Sequence, residues 1–138
     1  MPSKTFPAVR HVSISIDRPP GEVYAFAANP ENLPRWAKGL SGAIERVGGE
    51  WIADSPMGKV KVRFVGRNEL GVLDHDVTVE SGETIHNPMR VVANGEGSEV
   101  VFTLFLRPGA SAEDFDADAR TVAEDLAALK AFLESRRT

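Results

Sequence analysis

The chain has 138 residues, a length typical of one domain, with 20 acidic against 16 basic residues and a formal net charge of −4. It has no cysteine, which excludes disulfides and thiolate metal sites. The negative balance disfavours nucleic acid as a partner, because phosphate binding requires a positive surface. No apolar run approaches the ~18 residues that a bilayer-spanning helix needs, and no apolar signal segment follows Met1. We therefore expect one cytoplasmic domain over residues 1–138, without an integral membrane segment.

The first elements are a strand and two short helices. Residues 11–17 alternate between apolar and polar side chains, which predicts a half-buried strand. Pro20 suits the first turn of a helix, and apolar residues follow it at helical spacing. Asn29-Pro30 ends this helix, and residues 31–36 are typical of a second short helical turn.

A two-residue period runs from residue 43 to residue 106 and is interrupted by short turn sequences. Links of this length join antiparallel neighbours. The predicted strands are 43–47, 50–54, 58–65, 71–80, 84–93 and 98–106.

Charge pairing predicts the register of one hairpin. If residues 67–70 form its loop, Arg63 faces Asp74 and Lys61 faces Asp76, which gives two pairs of opposite charge on one face. His75 then falls on the other face, among apolar side chains, so the sheet is predicted to have a wet side and a core side.

The last hairpin turns between Asn94 and Gly97, whether the loop has two or four residues. A bulge at Pro88 would reverse every side chain beyond it. Without a bulge, one face carries Ile85, Asn87, Met89, Val91, Val100, Phe102, Leu104 and Leu106.

A long helix is predicted from residue 111 to residue 135, about 37 Å at 1.5 Å per residue. Ser111 and Asp114 form an acidic variant of the capping box. The many acidic residues of this segment, Asp118 and Asp125 among them, are interpreted as a solvated outer face. The apolar residues recur at spacings of three and four and are Phe115, Ala119, Val122, Leu126, Leu129 and Leu133.

The order of these elements, and the stretches Ile16–Phe26, Asn29–Trp36 and Phe102–Leu129, resemble the START-like superfamily of polyketide cyclases and lipid-transport proteins (SRPBCC). The resemblance covers nearly the whole chain. It implies an α+β helix-grip fold, in which a curved antiparallel sheet of about seven strands wraps a long C-terminal helix and two short helices follow the first strand. It specifies function poorly, because enzymes, carriers and adaptor proteins share this scaffold.

Polar residues interrupt the predicted apolar inner face at His75 and Asn87. An apolar face with a few polar groups is the usual composition of a small-molecule pocket. His75 could exchange a proton near neutral pH and is the candidate catalytic residue, with a hydrogen-bonded core histidine as the alternative. Asn87 is a candidate ligand-binding residue, as are Met89, Phe102, Trp36, Trp51 and Tyr24, and Met57 is a further candidate wall or lid residue. For Met57, the tryptophans and Tyr24, the alternative is ordinary core packing.

No metal or cofactor is expected. The three histidines are far apart in sequence, without a His-x-x-x-His pair, and Gly48-Gly49 precedes a predicted strand, unlike a phosphate loop. The leading hypothesis is binding or transport of a hydrophobic small molecule in an internal cavity. The alternatives are a polyketide cyclase/aromatase-type or dehydratase enzyme that uses His75, and a chaperone-activator-like interaction module. A homodimer is left open.

Overall fold

The computed structural model describes residues 6–37, 43–56 and 58–136, so Met57 lies outside the described residues. The helices and strands follow the predicted order. They are β1 (Val9–Ile16), α1 (Pro20–Ala27), a 3₁₀ helix (Pro30–Asn32), α2 (Leu33–Trp36), β2 (Ile44–Val47), β3 (Glu50–Ser55), β4 (Gly58–Phe64), β5 (His75–Thr78), β6 (Thr84–Asn87), β7 (Met89–Asn94), β8 (Gly97–Phe105) and α3 (Ala112–Ser135).

The strands form an antiparallel sheet in two parts, with the orders β1-β8-β7 and β2-β3-β4-β5-β6. An isolated bridge between Val72 and Arg90 joins the two parts. Only Pro88 separates β6 from β7, so the sheet has the predicted seven strands if this interrupted pair is counted as one. With α3 packed on its inner face, the predicted α+β helix-grip architecture is confirmed.

One register runs through the whole hairpin that contains β5, β6 and the start of β7. His75 lies opposite Asn87, and Val72 lies opposite Arg90. Val72 lies three residues before His75, and Arg90 lies three residues after Asn87, so no residue is inserted at Pro88. Side chains on both sides of this proline therefore keep the faces that the sequence predicts.

The backbone hydrogen-bond ladder of this hairpin is incomplete between Leu73 and Met89, a position that we call the open rung. The Leu73 N–H donates to the Met89 carbonyl at 2.8 Å, but these two residues do not form the reciprocal bond. The Met89 N–H donates instead to Oδ1 of Asp74 at 2.9 Å. The Leu73 carbonyl accepts from Nδ1 of His75 at 3.0 Å. Two side chains thus satisfy the backbone groups that the open rung leaves free.

The neighbouring rung depends on a glycine. The Val91 N–H donates to the Gly71 carbonyl at 2.9 Å. Gly71 has a φ of +73°, and a Cβ atom added there would lie 2.1 Å from the Val91 carbonyl oxygen. Only glycine permits this approach of the two backbones.

The carboxylate of Asp74 also binds Arg90, whose Nε and terminal nitrogen donate to it at 3.1 and 3.0 Å. The hydrogen bond from Arg90 lowers the pKa of Asp74, and the Met89 N–H acts in the same direction. The carboxylate is therefore ionised at neutral pH and remains a strong acceptor for the backbone of β7.

The predicted charge pairs between β4 and β5 are wrong by two residues. Arg63 lies opposite Asp76, and Lys61 lies opposite Thr78. Asp74, the predicted partner of Arg63, lies beyond the end of the paired region. Charge pairing was a weak guide because exposed ion pairs contribute little free energy.

The loop between β4 and β5 is longer than predicted, and Asn68 organises it. The side chain of Asn68 accepts from the Val72 N–H and donates to the Val72 carbonyl, both at 3.0 Å. A shift of two residues preserves the face of every side chain. His75 therefore still lies on the inner side of the sheet, opposite Phe64.

Helix α3 is held at both ends. The predicted capping box is present, with the Ser111 hydroxyl accepting from the Asp114 N–H and the Asp114 carboxylate accepting from the Ser111 N–H. At the other end, the Arg18 guanidinium donates to the carbonyls of Glu134 and Arg136. The buried residues of α3 are Phe115, Val122, Leu126, Leu129 and Leu133.

No helix in the described ranges is long and apolar enough to cross a membrane.

We expect Leu129→Ala to lower the free energy of unfolding by about 2–5 kcal/mol, because it leaves a cavity beneath α3. Leu129 is fully buried, whereas Leu70 is exposed. Leu70→Ala is therefore the matched control, and we expect it to cost less than about 0.5 kcal/mol. Urea unfolding measures both, and a loss at Leu129 as small as that at Leu70 would contradict the packing of α3.

We expect Asp74→Ala to lower the free energy of unfolding by about 1–3 kcal/mol, because it leaves the buried Met89 N–H unpaired. The Asp74 side chain is 13% exposed, whereas that of Asp76, which pairs with His86, is 44% exposed. Asp76→Ala is the control and should cost less than about 1 kcal/mol. Thermal or urea unfolding compares the two, and equal losses would argue against the role of Asp74 at the open rung.

Candidate functional site

A cavity of about 500 Å³ lies between the inner face of the sheet and α3. Its walls come from α2, from β4 to β6, from the C-terminal part of β8 with the following loop, and from one face of α3. Small-molecule sites usually have volumes of roughly 300–1,000 Å³. Most of the wall is apolar, as at Leu33, Val62, Val77, Ile85 and Leu104.

Exposed charged groups of the wall mark the mouth of the cavity. Arg107 and Asp118 form an ion pair at 3.8 Å, and their side chains are 36% and 44% exposed. Glu83, at the turn between β5 and β6, is also exposed. Asp125, on α3, also lines the cavity and is half-buried. Exposed charges thus lie beside a largely apolar wall.

His75 is the buried titratable residue of the wall, with 7% of its surface exposed. A carbonyl can only accept, so the bond between Nδ1 and the Leu73 carbonyl requires a proton on Nδ1. Burial lowers the pKa of His75, against the opposing effects of this bond and of the Asp74 and Asp76 carboxylates. The ring is therefore neutral at pH 7, and Nε2 carries a lone pair.

Two aromatic rings hold the imidazole in place. Phe64 lies 4.9 Å from it between ring centroids, and Phe102 meets it edge-on at 5.9 Å. Nε2 has no hydrogen-bond partner among the described residues, yet it is not one of the fully enclosed side-chain atoms that lack a partner. His75 lines the cavity, and we infer that its Nε2 opens onto that space.

Asn87, Trp36 and Phe102 also line the cavity. Asn87 lies opposite His75 in the hairpin, and its amide makes no hydrogen bond with a described residue. Trp36 is 4% exposed, and its Nε1 is the fully buried side-chain nitrogen without a partner in the described part of the chain. Four of the candidate residues, His75 included, are thus brought together.

The other candidates lie outside the cavity wall. Met89 is fully buried in the core. Trp51, on β3, is half-buried beneath the guanidinium of Arg46, 5.9 Å from its ring. The Tyr24 hydroxyl accepts from the Asn68 N–H at 3.0 Å, which anchors the loop between β4 and β5. A role of these three in ligand binding stays a prediction.

Sequence reasoning missed two aspartates of α3 that border the cavity. Asp118, Thr121, Val122 and Asp125 all line it, although the two aspartates were assigned to a solvated outer face. Their spacing of three, one and three places them on one side of the helix. That stripe borders the apolar face and was the signal available in the sequence.

A family model described as "Polyketide cyclase / dehydrase and lipid transport" matches residues 8–134. No curated protein matches the chain. The solved structure of XoxI from Bacillus cereus is similar, with a TM-score of 0.72 at 18% identity over 95% of this chain and 99% of that one. The crystal structure of Ara h 8.0201 is also similar, with a TM-score of 0.70 at 15% identity over 94% of this chain and 99% of that one.

A third similar structure is the di-domain ARO/CYC protein BexL from the BE-7585A biosynthetic pathway. Its TM-score is 0.72 at 18% identity, over 92% of this chain and 46% of that one. At these identities the three structures establish the fold alone.

The buried neutral histidine predicts a pH dependence of stability. The pKa of His75 is lower in the folded state than in the unfolded state. Its contribution to the free energy of unfolding is therefore complete above the unfolded pKa of about 6.5. This contribution is lost as pH falls toward the folded pKa. The phenyl ring of His75→Phe does not titrate. We therefore expect the wild type to lose more unfolding free energy than this variant on acidification. Urea unfolding from about pH 8 to pH 5 measures this, and a difference independent of pH would contradict a neutral buried ring.

Proposed function

Because the chain belongs to the polyketide cyclase / dehydrase and lipid transport family, we propose that it binds a hydrophobic small molecule between the sheet and α3. The observation that carries this proposal is the cavity of about 500 Å³ with its largely apolar wall. Such a wall, with a few inward polar groups, has the composition of a small-molecule site. The protein then acts as a carrier of this molecule.

The packing of the rest of the protein supports this function. Protein interiors normally contain few voids larger than a water molecule. Around this cavity the core is well packed, with Met89, Leu129 and Leu133 fully buried. An apolar space of this size loses van der Waals contacts when empty. A bound apolar molecule restores those contacts and removes its own surface from water.

An enzyme of the polyketide cyclase/aromatase or dehydratase type is the second candidate. The observation that favours it is Nε2 of His75, which opens onto the cavity with a lone pair. A neutral imidazole in this position can accept a proton from a bound substrate. The carrier has no need of this base for binding, so turnover that depends on His75 would favour the enzyme.

No contact among the described residues supports the remaining expectations. A chaperone-activator-like role, a homodimer, a cytoplasmic location and a single domain over residues 1–138 all stay predictions.

We expect the wild-type protein to bind the neutral fluorescent probe N-phenyl-1-naphthylamine in saturable fashion. The double variant Leu104→Trp/Thr121→Trp projects indoles from opposite walls of the cavity, one from β8 and one from α3. We expect it to bind the probe at least about tenfold more weakly, which corresponds to about 1.4 kcal/mol. A fluorescence titration measures both affinities.

The matched control is Val92→Trp/Ala123→Trp, at two exposed positions on β7 and α3 outside the cavity wall. We expect it to bind the probe as the wild type does. Circular dichroism establishes that both double variants are folded. Absence of probe binding to the wild type, or equal binding by the two double variants, would contradict the proposed site.

A further inference from the structure

We propose that the ligand of this cavity is an uncharged molecule bearing a hydroxyl group, and that this hydroxyl donates a hydrogen bond to Nε2 of His75. The inference rests on the proposed binding function and narrows it. It selects hydroxylated apolar molecules, phenols among them, over hydrocarbons and over anionic lipids such as free fatty acids.

The fold itself makes His75 an acceptor toward the cavity. The open rung leaves the Leu73 carbonyl without a backbone donor, and Nδ1–H of His75 fills that position at 3.0 Å. In a neutral imidazole the second nitrogen can then only accept. Phe64 and Phe102 pack on the ring and hold its orientation. The acceptor is therefore in place before a ligand binds.

A further group of the wall suits the oxygen of a hydroxyl. The Asn87 amide, opposite His75, has no partner among the described residues. Buried polar groups are normally hydrogen-bonded. A ligand oxygen that donates to His75 still has a lone pair for this amide.

The charges of the wall disfavour an anion. The basic lining residues within the described ranges are Arg107, paired with Asp118 at 3.8 Å, and His86, whose Nδ1 is 2.6 Å from Asp76. Both side chains lie toward solvent. A buried carboxylate would therefore meet no cation from the described residues in the interior, and burying an unpaired charge is strongly unfavourable. Glu83, at the mouth, adds repulsion.

A series of four probes with one ring system tests the inference: 2-naphthol, 2-methoxynaphthalene, naphthalene and 2-naphthoate. Displacement of N-phenyl-1-naphthylamine at neutral pH gives their affinities. We expect 2-naphthol to bind about tenfold more tightly than 2-methoxynaphthalene and naphthalene, which cannot donate to Nε2. We expect 2-naphthoate to bind most weakly of the four.

His75→Phe keeps an aromatic ring but removes the acceptor, so we expect 2-naphthol to lose its advantage over 2-methoxynaphthalene. The control is His11→Phe, at an exposed position on β1 outside the cavity wall, which should keep that advantage. The wild-type series is decisive even if His75→Phe fails to fold. Equal binding of the three uncharged probes, or tightest binding of 2-naphthoate, would overturn this inference and leave the binding function standing. Displacement by none of the four would also overturn this inference, whereas failure of the wild type to bind N-phenyl-1-naphthylamine would overturn the binding function itself.

Discussion

The open rung between Leu73 and Met89 is the constraint on which the candidate site depends. One backbone bond of the ladder is missing there, and the side chains of Asp74 and His75 take its place on opposite faces of the strand. On the outer face, the ionised Asp74 ties β7 to the hairpin. On the inner face, the freed carbonyl decides which nitrogen of His75 carries the proton. A local defect in the sheet thus sets the chemistry of the cavity without an inserted residue.

The cavity lies between the sheet and α3, a helix that is fastened at both ends. The capping box at Ser111 holds its beginning, and Arg18 binds its last carbonyls. Along the middle, α3 presents Thr121 and Val122 to open space. The family fold supplies this arrangement, whereas the identity of the ligand depends on the few polar groups of the wall, because function resides in the site and not in the scaffold.

The sequence by itself determined the fold and the faces of its side chains. The period of two, the turn between Asn94 and Gly97 and the capping box at Ser111 are all present as predicted. These features follow from local covalent geometry, since alternate side chains of a strand point to opposite faces. The inward orientation of His75 and Asn87 was therefore predictable, and a register error of two residues left it unchanged.

Only the tertiary structure decided which inward residues border the cavity. Phe102 lines it, whereas its cross-strand neighbour Met89 is enclosed in the core. Parity gives both residues the same face, so the difference comes from what covers that face: β7, which carries Met89, packs against α1. The acceptor nitrogen of His75 was equally beyond the sequence, because it depends on a backbone bond that fails to form at Leu73. The local sequence pattern determines the face to which a side chain points. Its distance from other elements and its hydrogen-bond partner depend on how distant segments of the chain pack.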